Sequence, residues 1–211
     1  IMGSPVPTFV IDTDHVITHW NLALEKVSGI SGRQVVGTKN QWMPFYSKKR
    51  PVMADLIVDQ VSEEKLSNYY IGIYKKSQSV ENAYEAEDFF PDMGEHGQWL
   101  FFTAAPLRNS AGDIIGAVET LQDTSARKEA ETALRESESK FRSIFDNKGT
   151  ATFLFGEDHI IRECNLTFEE LCGYSKSDII NKMKWSDFIA KENLEKMQKY
   201  HDQRSKGTGS P

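Results

Sequence analysis

Apolar and polar positions alternate in short bursts at the start of the chain, a strand signal rather than a helix signal. Phe9-Val10-Ile11 reads as a strand, 12–15 as a turn and 16–20 as a second strand, together a hairpin. The period then changes. Asn21 stands where a helix N-cap belongs, because its side-chain oxygen can accept from the free N–H groups of a first turn. Leu24 and Val27 give that short helix one apolar face, and Gly29 ends it at the position that favours a left-handed residue. Ser31 and Gln34 have capping-box spacing for another helical turn. Residues 40–70 hold aromatics and a helical stretch with Met53, Leu56, Ile57 and Val61 at spacings of 3 and 4. Strand patterns return at 84–90, 98–107 and 114–122, separated by turns at 91–97 and 109–112. The pattern predicts an α+β layer: a five-stranded antiparallel sheet with helices on one face.

The opening pattern occurs twice. Residues 8–31 read TFVIDTDHVITHWNLALEKVSGIS and residues 152–175 read TFLFGEDHIIRECNLTFEELCGYS, aligned without a gap at an offset of 144. Ten of the 24 positions are identical. Asn165, Phe168, Leu171, Gly173, Ser175 and Asp178 repeat the capping grammar of the first copy. The offset is too long for a solenoid and suits tandem domains. The second copy ends in a helical pattern at 192–204 and lacks counterparts to the last three strands. We therefore expect a complete domain at 1–124, a helical linker at 125–147 and a truncated copy at 148–211. The start at Ile1-Met2 agrees with a piece cut from a longer protein. A half-sheet with an open edge should be labile.

The linker holds strong helix formers and no Gly or Pro. Ala130, Leu134, Ser137, Phe141 and Ile144 follow at spacings of 4, 3, 4 and 3, a stripe that fits one amphipathic linker helix or, as expected here, the seam of a parallel dimeric coiled coil. A homodimer is the expected partner state.

Composition narrows the function. The net charge of −6 argues against nucleic acid as the partner, because phosphate contacts need clustered Lys and Arg. No stretch approaches a membrane span. Two Cys in 211 residues point to a reducing, cytoplasmic setting, although a parent protein could be membrane-anchored elsewhere.

The element order, the tandem copies and the helical connector resemble the PAS (S-box) sensory family. The motifs are Trp20-Asn21 with Gly29 and Gly37, the run WLFFTAAPL at 99–107, AGDIIG at 111–116 and Gln122-Asp123-Thr124-Ser125. Phe141-Arg142-Ser143-Ile144-Phe145, Asn165 and Gly173-Tyr174-Ser175 carry it in the second copy. The family often has Asp-Ile-Thr where this chain has Asp123-Thr124-Ser125. The resemblance implies an input module of a signalling protein, most often a microbial two-component histidine kinase. It implies a small-molecule ligand between sheet and helices, or a ligand-free dimerising relay. It also implies that signals leave along the exit helix after the corner at Asp123, Thr124 and Ser125. A diguanylate cyclase is another output such a module can serve.

A dense aromatic group, Trp42, Phe45, Tyr46, Phe89, Phe90, Trp99, Phe101 and Phe102, reads either as core packing or as a lined pocket; the pocket candidates are these rings without Phe90, with Gln122 as a polar member. Strand alternation puts Trp99 and Phe101 on one face and Leu100 and Phe102 on the other, without saying which face meets the helices. The cofactor is left unnamed. Five scattered His without a ligand cluster argue against haem and other metals. Cys164 and Cys172 lie outside any Asn-Cys-Arg-Phe-like run, which argues against a flavin–thiol adduct. No catalytic constellation or kinase core is present, so the fragment itself reads as a non-enzyme. His15 and His159 read as surface turn residues, and Lys48-Lys49-Arg50 as a solvated basic face.

Overall fold

The computed structural model describes residues 3–78, 80–147 and 149–205; Lys148 and Pro211, the limits of the expected second copy, lie outside them. The chain forms two compact units, Ile1–Thr132 and Ala133–Pro211.

Unit one opens with the hairpin β1 (Thr8–Asp12) and β2 (Ile17–Trp20). Asp12 shapes the turn: its Oδ1 accepts the N–H groups of Asp14 and Val16, both at 2.9 Å. Val16 therefore belongs to the turn, and β2 starts one residue later than the pattern suggests. Helix α1 (Leu22–Ser28) is capped by Asn21 and ended by Gly29 at φ +70°. Asn21 is fully buried, and its Oδ1 accepts from Thr8 N at 3.0 Å and Leu24 N at 2.9 Å. Its Nδ2 donates to the carbonyl of Val6 at 2.7 Å. One side chain thus fixes both the strand start and the helix start. The short helix α2 (Gly32–Val35) follows, with its Gly32 N–H held by Glu25 Oε1 at 2.7 Å.

The 40–70 stretch contains two helices, α3 (Met53–Val58) and α4 (Glu63–Tyr69). Gln60 at φ +49° breaks the run and Ser62 caps the second helix, which leaves Val61 in the break. Strands β3 (Tyr74–Lys76), β4 (Tyr84–Phe90), β5 (Gln98–Arg108) and β6 (Ile114–Asp123) complete the sheet. All pairings are antiparallel, in the order β2-β1-β6-β5-β4-β3. The sheet has six strands rather than the expected five. The extra edge strand spans three residues, too few to show alternation, and Lys75 and Lys76 give it the charge that protects an open edge.

Alternation along β5 resolves the two faces. Leu100, Phe102 and Ala104 are buried beneath the helices, whereas Trp99, Phe101 and Thr103 face outward and are half-buried. Helix α3 lies across β1, β5 and β6. Burying side chains the size of Leu100 or Phe102 contributes roughly 1.5–3 kcal/mol each. At the β1–β6 crossing a Cβ on Gly116 would sit 2.2 Å from the Ile11 carbonyl oxygen, so only glycine allows that approach.

Helix α5 (Ser125–Phe145) begins in unit one and ends in unit two. Unit two has the hairpin β7 (Phe153–Phe155) and β8 (Ile161–Cys164), helices α6 (Leu166–Cys172) and α7 (Lys176–Ile179), a 3₁₀ turn at Trp185–Phe188, and α8 (Lys191–Ser205). The sequence repeat extends to hydrogen bonds. Asn165 accepts from Thr152 N and Phe168 N, both at 2.9 Å, and Glu169 Oε1 takes the N–H of Lys176 at 2.6 Å.

Candidate functional site

The sheet hands the chain to α5 at one corner. Asp123 Oδ1 accepts the N–H of Ser125 at 2.8 Å, which fixes the turn into the helix. Trp99 on β5 anchors it on both sides: its carbonyl accepts from Thr124 N at 2.8 Å, and its N–H donates to Ser125 Oγ at 3.0 Å. Glu87 on β4 completes the corner. Its Oε1 accepts from Thr124 Oγ1 at 2.7 Å and from Arg127 Nη2 at 2.6 Å. Its Oε2 lies 2.9 Å from Lys128 Nζ, and that ammonium sits 4.9 Å above the Trp99 ring. Burial works against the charged Glu87. The hydrogen bonds from Lys128 and Thr124, with the charges of Lys128 and Arg127, outweigh it and hold the carboxyl below its usual range. Two strands and the first turn of α5 are thereby tied to one carboxylate. The corner triplet was legible in the sequence; Glu87, 37 residues upstream of Thr124, was not. Its only signal was an outward acid on the strand beside β5, with Arg127-Lys128 as its complement.

The eight pocket candidates divide between the two faces of the sheet. Phe45 and Phe102 are buried on the helix side, with Trp42 and Tyr46 packed at the edge of the same core. Phe90, part of the dense aromatic group though not of the eight, and Tyr70 link them: Phe90 lies 5.7 Å from Phe45, 5.9 Å from Tyr46 and 6.0 Å from Phe102. Tyr70 lies 5.7 Å from Phe102. These rings fill the space between sheet and helices. Phe89, Trp99, Phe101 and Gln122 belong to the outer face, where Phe89 tilts against Trp99 at 5.6 Å and Gln122 pairs in register with Phe101. One pocket cannot be lined by all eight.

Glu119 enters the core from β6 at only 3% exposure. Its Oε2 accepts the N–H of Ala54, in the first turn of α3, at 2.8 Å. Burial raises its pKa most; the Ala54 N–H opposes this and nearby Asp55 adds to it, leaving the carboxyl at about 8. At neutral pH the group is therefore mainly a neutral acid. Tyr46 and Tyr70 share a hydroxyl hydrogen bond beside it, and burial raises both phenols. Arg50 lies 4.1 Å over the Tyr46 ring and donates from Nη2 to the Tyr69 carbonyl at 3.1 Å. The basic run is thus not a uniformly solvated face, because aromatic rings hold its third member.

His15 is likewise more than a turn residue. It adopts φ +64°, with Nδ1 2.8 Å from Asp55 Oδ1 and Nε2 3.1 Å from Asp59 Oδ1. Gln41 Nε2 donates to the same Asp55 oxygen at 2.6 Å. Among the described residues no three of His, Cys, Asp and Glu form a metal-ligating group. Cys164 is buried on β8 and Cys172 ends α6.

A family model for the PAS fold matches residues 1–39 and 139–209, and so finds the opening hairpin of each copy. The chain belongs to the PAS family. Phytochrome B of Oryza sativa subsp. indica is 21% identical over 186 residues, covering 87% of this chain and 15% of that protein. Phytochrome B of Arabidopsis thaliana is 21% identical over 189 residues, with the same two coverages. The chain thus spans about 15% of the length of these relatives. Among solved structures, an RNA-binding Light-Oxygen-Voltage receptor is 19% identical with a TM-score of 0.42, covering 65% of this chain and 35% of that one. The PAS domain of Bordetella pertussis BvgS is 14% identical with a TM-score of 0.40, covering 66% and 91%.

Within this PAS protein, the linker stripe lies on the exposed surface of α5. Ala130, Leu134, Ser137, Phe141 and Ile144 are all exposed, with Ile144 at 77%. Phe141 also stacks on Phe145, ring centroids 5.3 Å apart. No helix among the described residues is long and apolar enough to cross a membrane.

Proposed function

We propose that this chain is a cytoplasmic input module of a two-component sensor histidine kinase. Its first PAS unit senses a small molecule, and the Asp123-Thr124-Ser125 corner passes the state of the sheet into α5. Two copies associate along the Leu134–Phe141 stripe, and catalysis belongs to an output domain of the parent protein. The observation that carries the reading is the convergence of Thr124, Arg127 and Lys128 on Glu87.

The energies suit a switch. A hydrogen bond to a charged group contributes roughly 1.5–3 kcal/mol. The half-exposed Arg127 and Lys128 pairs each contribute at most about 1 kcal/mol after screening. A corner holding about 3 kcal/mol biases a two-state helix by about 150-fold. Any shift of β4 against β5 that separates Glu87 from Thr124 would release that bias into α5.

A ligand-free relay is the second reading. It is favoured by the Phe45, Phe90, Phe102 and Tyr70 rings, which occupy the space where a ligand would sit between sheet and helices. Autophosphorylation of the parent kinase tests the relay common to both readings. Glu87→Gln and Thr124→Val should each move basal output several-fold, whereas exposed Glu129→Gln on the same helix should not. Unchanged output in both corner variants would remove the proposal.

A further inference from the structure

A cleft of about 280 Å³ opens on unit one at the edge of the aromatic core, between the β1–β2 turn, the 39–51 segment and α3. Two of its lining residues carry buried polar atoms that find no partner among the described residues: Gln41 Oε1 and Trp42 Nε1. Gln41 is only 2% exposed, and its Nε2 is committed to Asp55 at 2.6 Å. What remains is an oxygen that can only accept and an indole N–H that can only donate. A buried polar group left unpaired costs roughly 1–3 kcal/mol, so a site that keeps two invites an occupant.

The charges around these atoms are unequal. Asp55 and Asp59, the acids of the cleft, both face His15, and Asp55 also takes the Val52 N–H at 2.9 Å. Both oxygens of Asp55 are thus engaged, and Asp59 holds His15 through one. Lys39 and Lys49 line the same cleft, are exposed and make no ion pair among the described residues. Arg50 also lines the cleft but is held by the Tyr46 ring and the Tyr69 carbonyl, so the free chemistry is two ammonium groups, one N–H donor and one oxygen acceptor.

We infer that this cleft binds a small carboxylate carrying a hydroxyl or amino group beside its acid. The carboxylate takes the lysines at the mouth and, once the Trp42 and Gln41 side chains turn their buried polar atoms into the cleft, Trp42 Nε1, while the neighbouring O–H or N–H donates to Gln41 Oε1. The volume holds roughly nine waters at about 30 Å³ each, enough for an acid of about four or five carbons. The inference rests on the reading of unit one as a small-molecule sensor, and supplies the ligand class and a site outside the filled core.

Indole N–H resonances of the intact ¹⁵N-labelled chain test it, with lactate, malate and serine as probes and acetate and inorganic phosphate as controls. Trp42→Phe assigns the resonance. Saturable shifts of the Trp42 indole by the hydroxy or amino acids are expected. Acetate, which lacks the second donor, should bind roughly tenfold more weakly. Lys39→Met with Lys49→Met removes two exposed side chains and should weaken malate by at least a further roughly tenfold. A Trp42 indole unmoved by all three probes, phosphate binding tighter than malate, or a double variant that binds like the wild type would overturn the site. Amide exchange in the first turn of α5, recorded on the same samples, judges the relay separately. A Trp42 response without an α5 response upholds the site and counts against the relay. A silent Trp42 together with an α5 loosened by Glu87→Gln does the reverse.

Discussion

Replacing Glu119 with Gln should stabilise unit one at alkaline pH and leave it unchanged in acid. The substituted amide keeps an oxygen for the Ala54 N–H, so the 2.8 Å hydrogen bond that orders the first turn of α3 survives. What disappears is the ionisable proton. In the wild type the carboxyl titrates at about 8 when folded and near its ordinary 4.5 when unfolded. Below pH 4.5 both states hold the proton, and the residue favours neither. Between 4.5 and 8 the unfolded chain has released its proton while the folded one retains it, so rising pH favours unfolding. Above 8 the folded protein also ionises and the cost stays constant. At about 1.4 kcal/mol per pH unit across that window, the cost reaches an upper limit of about 5 kcal/mol. Urea denaturation of wild type and Glu119→Gln from pH 4 to 9, followed by tryptophan fluorescence, isolates the effect because every other titrating group is shared. The two curves should coincide near pH 4.5 and separate progressively to pH 8, with the variant more stable by about 3–5 kcal/mol. Parallel curves across the whole range would refute the neutral buried acid.

The duplicated cap gives a paired test. Asn21→Ala leaves the Thr8 and Leu24 N–H groups and the Val6 carbonyl without their buried partner, and should cost unit one roughly 2–4 kcal/mol in chemical denaturation. Asn165→Ala should do the same to unit two, where the side chain also donates to the Phe145 carbonyl at 2.7 Å, so helix content near residue 145 should fall by circular dichroism. Leu134→Glu with Phe141→Glu should convert a dimer to a monomer in light scattering; a monomeric wild type would remove the seam. Gly116→Ala should destabilise unit one by at least about 2 kcal/mol in thermal melting, because its Cβ meets the Ile11 carbonyl oxygen.

The elements legible in the sequence were those fixed by contacts within a few residues. Asn21 and Gly29 bracket α1 through bonds that span four residues or fewer, and Asn109 forms its turn by accepting from Ala111 and Asp113 at 2.9 Å. Alternation split β5 into two faces, but orientation depends on α3, which packs from 40 residues away, so neither face could be assigned to the helices. That ambiguity put Trp99, Phe101, Phe89 and Gln122 in the same group as Phe45 and Phe102. Glu87 and Glu119 were invisible for a related reason. An acid in a strand reads as an exposed position, and only tertiary structure shows one accepting from α5 and the other beneath α3. Strand β3 escaped because three residues cannot display a period, and the β4 edge alone defines it.

The relay is tested most directly by amide hydrogen exchange across the corner in the intact chain, comparing wild type with Glu87→Gln and Thr124→Val. The Lys128 N–H, bonded to the Thr124 carbonyl at 3.0 Å, reports the first turn of α5, and the N–H groups of Phe102 and Leu121 report the sheet. Exchange at 126–132 should accelerate by at least roughly tenfold in both variants, the loss of one hydrogen bond to a charged group, while Phe102 and Leu121 keep their protection. Unchanged exchange at 126–132, or an equal loss of protection in the sheet, would contradict a corner that governs the helix.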